Sequence, residues 1–157
     1  MIEIRESENG ELERFCQMER AADTKEYITV STLQQHRQEF ARADIVYLSI
    51  YSDDALAGYI ILALESDGET VEFRRIVVAD KGKGTGRAAI QAMETYCRDR
   101  LRRRRIWLDV FESNHRGRHV YEKLGYRLFE TGELRGQKLL LLQKGIAADP
   151  GTTQLNR

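Results

Sequence analysis

Apolar and polar residues alternate over MIEIRE, and a period of two predicts a short strand at the start of the chain. The spacing then changes. Leu12, Phe15 and Cys16, followed by Leu33, His36 and Phe40, recur at helical intervals and predict two helices across residues 11 to 41, with His36 at a helix surface or the edge of the core. The stretch DIVYLSIYSDDALAGYIILALESDGETVEFRRIVVA holds three apolar runs broken by SDDA and SDGE, the pattern of an antiparallel meander. From Arg87, the positions Ile90, Met93, Cys97 and Leu101 form one apolar helical stripe, and RIWLDVF gives the next strand. A short helix ends at Gly125, and YRLFE and KLLLLQK supply two closing strands about the turn residues Gly132 and Gly136. Residues 146 to 157, with the sole proline Pro150, read as a frayed tail. Strands clustered first and then alternating with helices suit a mixed α+β sheet better than an all-parallel one.

At 157 residues, 41% hydrophobic and 32% charged, the chain is long enough for one core, so residues 1–157 read as a single domain without repeats or linkers. Basic and acidic residues balance to a formal charge of zero, which argues against a nucleic-acid partner for the molecule as a whole. Cys16 and Cys97 stand far apart and resemble neither a disulfide framework nor paired metal ligands, so a reducing, cytoplasmic location is expected. No apolar run approaches the roughly 18 residues of a membrane span. The start MIEIRESENGELERF is acidic where a signal or transit peptide is basic, so the mature chain is expected to begin there.

The chemistry concentrates in VVADKGKGTGRAAI, where a β-branched run passes through three glycines into helix former. The first turn of a helix leaves N–H groups unpartnered, and its dipole adds partial positive charge, so this end attracts anions. Glycine at 82, 84 and 86 lets the backbone touch such an anion, and Lys81, Lys83 and Arg87 add full charge. A dinucleotide fingerprint GxGxxG starting at Gly82 needs glycine where Arg87 stands, and a P-loop fails at the same place. The plainer alternative is a glycine turn that merely packs a helix close to a sheet.

KGKGTGR resembles the pyrophosphate-binding signature of the GNAT family of N-acetyltransferases: Gln or Arg, two free positions, Gly, one free position, Gly, then Ala or Gly. Lys81 takes the first place and lacks the planar fork of arginine. A second segment, WLDVFESNHRGRHVYEKLGYRLFE, is similar to the family's LxV…NxxAxxLYExxGF at the expected distance. Asn114, Gly117 and Tyr121 fall on one side of a helix opened by Asn114; an amphipathic helix with a capping Asn and a half-buried tyrosine is the alternative for this segment alone. The resemblance is firm over residues 71 to 129. It implies a six- to seven-stranded, mostly antiparallel sheet splayed at its centre, helices on both faces, and acetyl-CoA in the splay.

The resemblance also assigns roles. The strand end Ile76, Val77 and Val78 would meet the acyl carbonyl and the pantetheine arm. The turn from Lys81 through Gly82, Lys83, Gly84, Thr85 and Gly86 to Arg87 would hold the pyrophosphate, and Asn114 and Gly117 would lie against the cofactor. Tyr121 matches the general acid. An amine acceptor is mostly protonated at neutral pH, so a base is needed. Glu72, four residues before Ile76, matches histone-type members, and Asp109, twelve before Tyr121, matches the peptide-N-terminus branch. Glu72 is favoured for its reach, with a structural ion pair to Arg74 or Arg75 as the alternative. No metal is expected: His115 and His119 are four apart without a third ligand in view. The run RDRLRRRR is read as the cationic close of a long helix. The implied partner is a small-molecule or peptide amine, a homodimer is left open, and a non-catalytic acyl-CoA sensor or an arginine-rich nucleic-acid or ribosome-associated module is the rival reading.

Overall fold

A computed structural model describes residues 1–20, 30–79 and 84–147. The elements run β1 Ile2–Glu6, α1 Leu12–Glu19, α2 Leu33–Phe40, β2 Ile45–Ser52, β3 Ala55–Leu64, β4 Thr70–Val78, α3 Thr85–Asp99, β5 Arg105–Phe111, α4 His115–Lys123, β6 Arg127–Leu134 and β7 Gln137–Gly145. Local chemistry sets several boundaries. Asp53 and Asp54, at φ 49° and 68°, make the two-residue turn between β2 and β3, a conformation that aspartate tolerates better than most residues. Thr32 and Gln35 cap α2 reciprocally, each side chain bonding the other's backbone N–H. Gly125, at φ 99°, ends α4. Arg135 and Gly136 turn the chain between β6 and β7, whereas Gly132, predicted at a turn, lies inside β6 and pairs with Leu139.

The seven strands order as β1-β2-β3-β4-β5-β7-β6, and every neighbouring pair is antiparallel except β4 with β5. Side chains alternate across the sheet and bury two cores. One face carries Leu48, Ile60, Leu62, Phe73, Leu108 and Leu142 against Ile90, Met93 and Cys97 of α3, with Val120 and Leu124 of α4 packed alongside. The other carries Tyr47, Tyr59, Ile61 and Val77 under Leu12 and Phe15 of α1, with Leu33 and Phe40 of α2 beside them. Each fully buried large apolar side chain contributes about 1.5–3 kcal/mol by removal from water.

Three expectations are corrected. His36 is fully buried, because both ring nitrogens find partners: Nε2 meets Glu19 at 2.8 Å and Nδ1 meets the Tyr47 hydroxyl at 2.6 Å. Ile146 is part of the core, and its N–H bonds the Arg104 carbonyl at 2.9 Å, so fraying does not begin there; residues 148 to 157 lie outside the described residues. The arginine run does not close a helix. Helix α3 stops at Asp99 with Arg98 alone of the run in its last turn, and the remainder leads into β5. Arg103 bonds the Glu65 carbonyl at 2.8 Å and Arg105 bonds the Gln143 side chain at 2.6 Å, so these cations stitch strands together.

Candidate active site

Strands β4 and β5 pair over only three positions, Thr70 with Arg105, Val71 with Ile106 and Glu72 with Trp107. Beyond Glu72 they part, leaving an unpaired strand edge inside the sheet. Backbone polar groups in a strand point alternately to its two edges. The Ala79 N–H bonds the Ala57 carbonyl of the β3 side at 2.8 Å, so Val77 also faces β3, and Ile76 and Val78 direct their N–H and C=O groups into the gap. Those are the backbone groups assigned to the acyl and pantetheine arm. Val77 differs: its side chain is in the core beneath α1 and its backbone serves the sheet. Gly58, which no motif marks, permits β3 and β4 to pair here, since a β-carbon there would lie 2.2 Å from the Val77 carbonyl oxygen.

Across the described residues, α3 begins at Gly84, which has φ 76° and no neighbour within 4 Å of a built β-carbon. At Gly86 the nearest atom to such a carbon is a Val78 methyl at 3.9 Å. Close packing against the described residues therefore does not explain Gly84 and Gly86. The first intrahelical bond runs from the Ala88 N–H to the Gly84 carbonyl at 3.1 Å, so the amides of Thr85, Gly86 and Arg87 precede it, and Gly84 has no side chain with which to cap them. Lys81, Gly82 and Lys83 lie outside the described residues. The helix start offers N–H groups without intrahelical partners and the dipole that a pyrophosphate needs.

Asn114 caps α4 by accepting the Gly117 N–H at 3.0 Å. Gly117 lets that amide fold down onto the helix, as a β-carbon there would come 2.8 Å from Asn114 Nδ2. Further along α4, Tyr121 packs edge-on against Phe73 of β4, ring centroids 6.0 Å apart, and against Tyr126 at 6.0 Å. Burial, and then the charge of Asp109, push its phenol up to about 12. Asp109 stands on β5 past the point where the strands part, on the face opposite Leu108 and Val110. Desolvation raises its pKa, the neighbouring Glu72 raises it further, and Arg74 works weakly the other way. No arginine of the run forms an ion pair with it among the described residues. Glu72 is held by Arg74 at 3.0 Å, the ion pair foreseen as the alternative to catalysis. A cavity of about 360 Å³ lined by Glu112, Ser113, Gln137 and Lys138 includes none of these residues.

The arrangement thus brings together Tyr121, Asp109, Glu72 and the unpaired backbone of β4, and sets the start of α3 beyond the end of that strand. Sequence reading missed the buried partners of β4: Arg75 bonds Glu19 of α1 at 2.7 Å, with His36 and Tyr59 on the same carboxylate. No group of three metal-ligating side chains occurs among the described residues, and no described helix is long and apolar enough to cross a membrane.

Comparison with known proteins agrees with this geometry. A chimera of Vibrio cholerae spermidine N-acetyltransferase SpeG and hSSAT superposes with a TM-score of 0.80 at 19% identity, covering 99% of each chain. The Vibrio cholerae spermidine N-acetyltransferase solved with CoA and spermine gives 0.79 at 18% identity, over 92% of this chain and 95% of that one. A Streptococcus mutans UA159 protein, smu.2055, gives 0.77 at 21% identity, over 92% and 99%. At these identities the likeness speaks for the fold alone. No curated protein matches in sequence. The model of the acetyltransferase (GNAT) family matches residues 7–126, three quarters of the chain, with all of the first motif segment and the second as far as Tyr126. The chain belongs to the acetyltransferase (GNAT) family and is an acyltransferase.

Proposed function

We propose that this protein moves the acetyl group of acetyl-CoA directly to a primary amine, with Asp109 as base and Tyr121 as acid. The observation that carries the reading is the gap past Glu72. There the unpaired backbone of Ile76 and Val78 forms one wall, Asp109 stands on the other and Tyr121 lies beneath. A pantetheine arm lying in that gap would complete the strand edge as an added strand does. The amides from Thr85 to Arg87 would hold the pyrophosphate, with Lys81, Gly82, Lys83 and Gly84 assigned to the same turn from the sequence. The Asn114 cap and Gly117 would fix α4 beside the thioester.

Both carboxylates remain candidates for the base, and the weight moves from Glu72 to Asp109. A base must stand deprotonated and then take up a proton, and the raised pKa of Asp109 makes its carboxylate the stronger proton acceptor whereas Glu72 is committed to Arg74. The order of proton movements then follows. Asp109, directly or through one water, takes the proton of the ammonium, and the free amine attacks the carbonyl. The N–H groups facing the gap stabilise the oxyanion. Tyr121 is fully protonated at neutral pH, and full transfer of its proton to a thiolate, whose ordinary value is near 8.5, runs uphill while Asp109 is charged. Protonating Asp109 removes the charge that helps hold the phenol up, so the acid becomes stronger after the base has acted.

The amine is a polyamine, an amino acid or a peptide amine; the fold relatives named for spermidine and spermine place polyamines among the candidates. The acid-rich first segment, with Glu3, Glu6, Glu8, Glu11, Glu13 and Glu19 against Arg5, Arg14 and Arg20, agrees with a cationic acceptor, although Glu19 is consumed internally. Free-thiol release from acetyl-CoA, followed across polyamines, amino acids and short peptides, tests the reading. At least one amine is expected to accelerate release at least about tenfold over the amine-free rate. Tight acetyl-CoA binding with no acceleration by any amine would favour the sensor instead.

A further inference from the structure

The end of β4 is held by side chains that the transfer reaction itself does not use. Between the pairs Leu62 with Phe73 and Ile61 with Arg75, the register slips by one residue, leaving Arg74 as the extra residue of a bulge. The bulge lies just past the last β4–β5 pair, Glu72 with Trp107, and just before Ile76. A bulge twists and bends its strand, so its setting decides where the following N–H groups point. Both arginines at this bulge reach back to the first two helices. Arg74 meets Glu39 of α2 at 3.4 Å, and Arg75 meets Glu19 of α1 at 2.7 Å and the Ser31 hydroxyl at 3.3 Å.

Glu19 is fully buried, and its side chain gathers five parts of the chain. Oε1 accepts the Ser31 N–H at 2.9 Å, while Oε2 accepts from Arg75, from His36 Nε2 at 2.8 Å and from the Tyr59 hydroxyl. His36 is braced in turn by Tyr47 at 2.6 Å. The end of α1, the approach to α2, α2 itself, β3 and β4 thus meet on one carboxylate. Stability alone does not call for this, because an apolar group of similar volume often serves as well as a buried ion pair or better. Charged, directional hydrogen bonds supply a fixed geometry that apolar packing does not.

We propose that Glu19 and Arg75 are positioning residues for the acyl group: their buried pair, assisted by Arg74 and Glu39, locks the β4 bulge against α1 and α2 so that the backbone N–H groups of Ile76 and Val78 meet the thioester at a fixed angle. The inference rests on the acetyl-CoA reading above. Hydrogen bonds weaken steeply as they bend, and misplacing reacting groups by 1 Å costs about 10²-fold in rate. Contacts between the helix start and a pyrophosphate lie at Gly84 to Arg87, away from this pair. Loosening the bulge therefore affects the polarisation of the carbonyl and the turnover more than the affinity for the nucleotide.

The test is the infrared difference spectrum of carbonyl-labelled acetyl-CoA bound to wild type and to the double variant Glu19→Gln/Arg75→Gln, which removes both charges of the pair. Wild type is expected to lower the thioester carbonyl frequency relative to free acetyl-CoA. In the double variant the frequency is expected to return most of the way to the free value and amine-dependent kcat to fall at least about tenfold, while the acetyl-CoA Kd stays within about threefold. Arg75→Lys, which keeps the charge, is expected to recover part of both. Should the double variant not fold by circular dichroism, Arg75→Met gives the same readings at a side chain 15% exposed. An unchanged frequency and turnover, or a loss of acetyl-CoA affinity as large as the loss of turnover, overturns the positioning role. Failure of wild type to bind acetyl-CoA overturns the function proposed above and this inference with it.

Discussion

Asp109 and Glu72 share a sheet face, and their environments separate them. Asp109, though its side chain reaches solvent, has desolvation by the surrounding chain and a neighbouring carboxylate acting against its charged form, and Glu72 has Arg74 at 3.0 Å. With Asp109 as base, Asp109→Asn is expected to lower kcat/KM by about 10²–10⁴, and Glu72→Gln by less than about tenfold. Because Asp109 acts deprotonated and its pKa is raised, the acid limb of the wild-type pH profile is expected above the ordinary aspartate value of 3.8 and absent from Asp109→Asn. The reverse ranking of the two variants returns the role to Glu72. For Tyr121→Phe, kcat is expected to fall by at least about 10² with acetyl-CoA affinity within about twofold, as read by stopped-flow thiol release and calorimetry. Tyr121 and both carboxylates were legible because each sits in a short segment whose spacing carries its meaning. Arg75 and Glu19 were not, because they meet across 56 positions of sequence, and the full burial of His36, expected at a helix surface or the edge of the core, depends on distant partners that helical spacing does not reveal.

At the scale of the element, the handover from β4 to α3 was readable from its glycines, and the reason for them became visible only in three dimensions. Among the described residues nothing lies within 4 Å of a β-carbon at Gly84, so that glycine serves its φ of 76° and access to the first amides of the helix. Gly84→Glu is expected to lower acetyl-CoA affinity by at least about 10²-fold by calorimetry, because a carboxylate then competes for the helix start. Gly84→Asn, which tolerates positive φ, is expected to lose less than about tenfold, separating charge from backbone strain. Equal losses would mean that the conformation alone matters. Conversely, Gly58 carried no motif. Its need arises from the approach of the Val77 carbonyl on the paired strand, a register that no local pattern specifies. The β4 bulge was illegible for the same reason, since VEFRRIVV reads as one uninterrupted strand.

For the whole molecule, the hydrophobic periods foretold seven strands and the family resemblance implied helices on both faces, but neither foretold that β7 would insert between β5 and β6. That order depends on pairing between distant strands, decided by burial of Leu140 and Leu142 beside Leu108. The charge balance also has a local meaning: Arg103, Arg104 and Arg105 stitch the β3–β4 turn and β7 to the start of β5, so these arginines of the run have partners within the fold. Acid stability is a property of this same network. Burial works to raise the Glu19 pKa, and hydrogen bonds led by His36 and Tyr59 outweigh it and lower it below 4.5; Thr70 and nearby amides hold Asp67 at about 2. Folded-state values below the unfolded ones mean stability that is complete above the unfolded pKa and lost as pH falls through the folded one. Urea midpoints are therefore expected to be level near neutrality and to fall between 4.5 and about 2, and a midpoint constant throughout that window would contradict the network.

Titration of acetyl-CoA into nitrogen-15-labelled protein, followed amide by amide, tests the central claim most directly. The largest shifts are expected at Ile76 and Val78 on the free edge of β4 and at Thr85, Gly86 and Arg87 at the start of α3. If those amides hold still while resonances around Glu112 and Lys138 move, the thioester does not lie between β4 and β5.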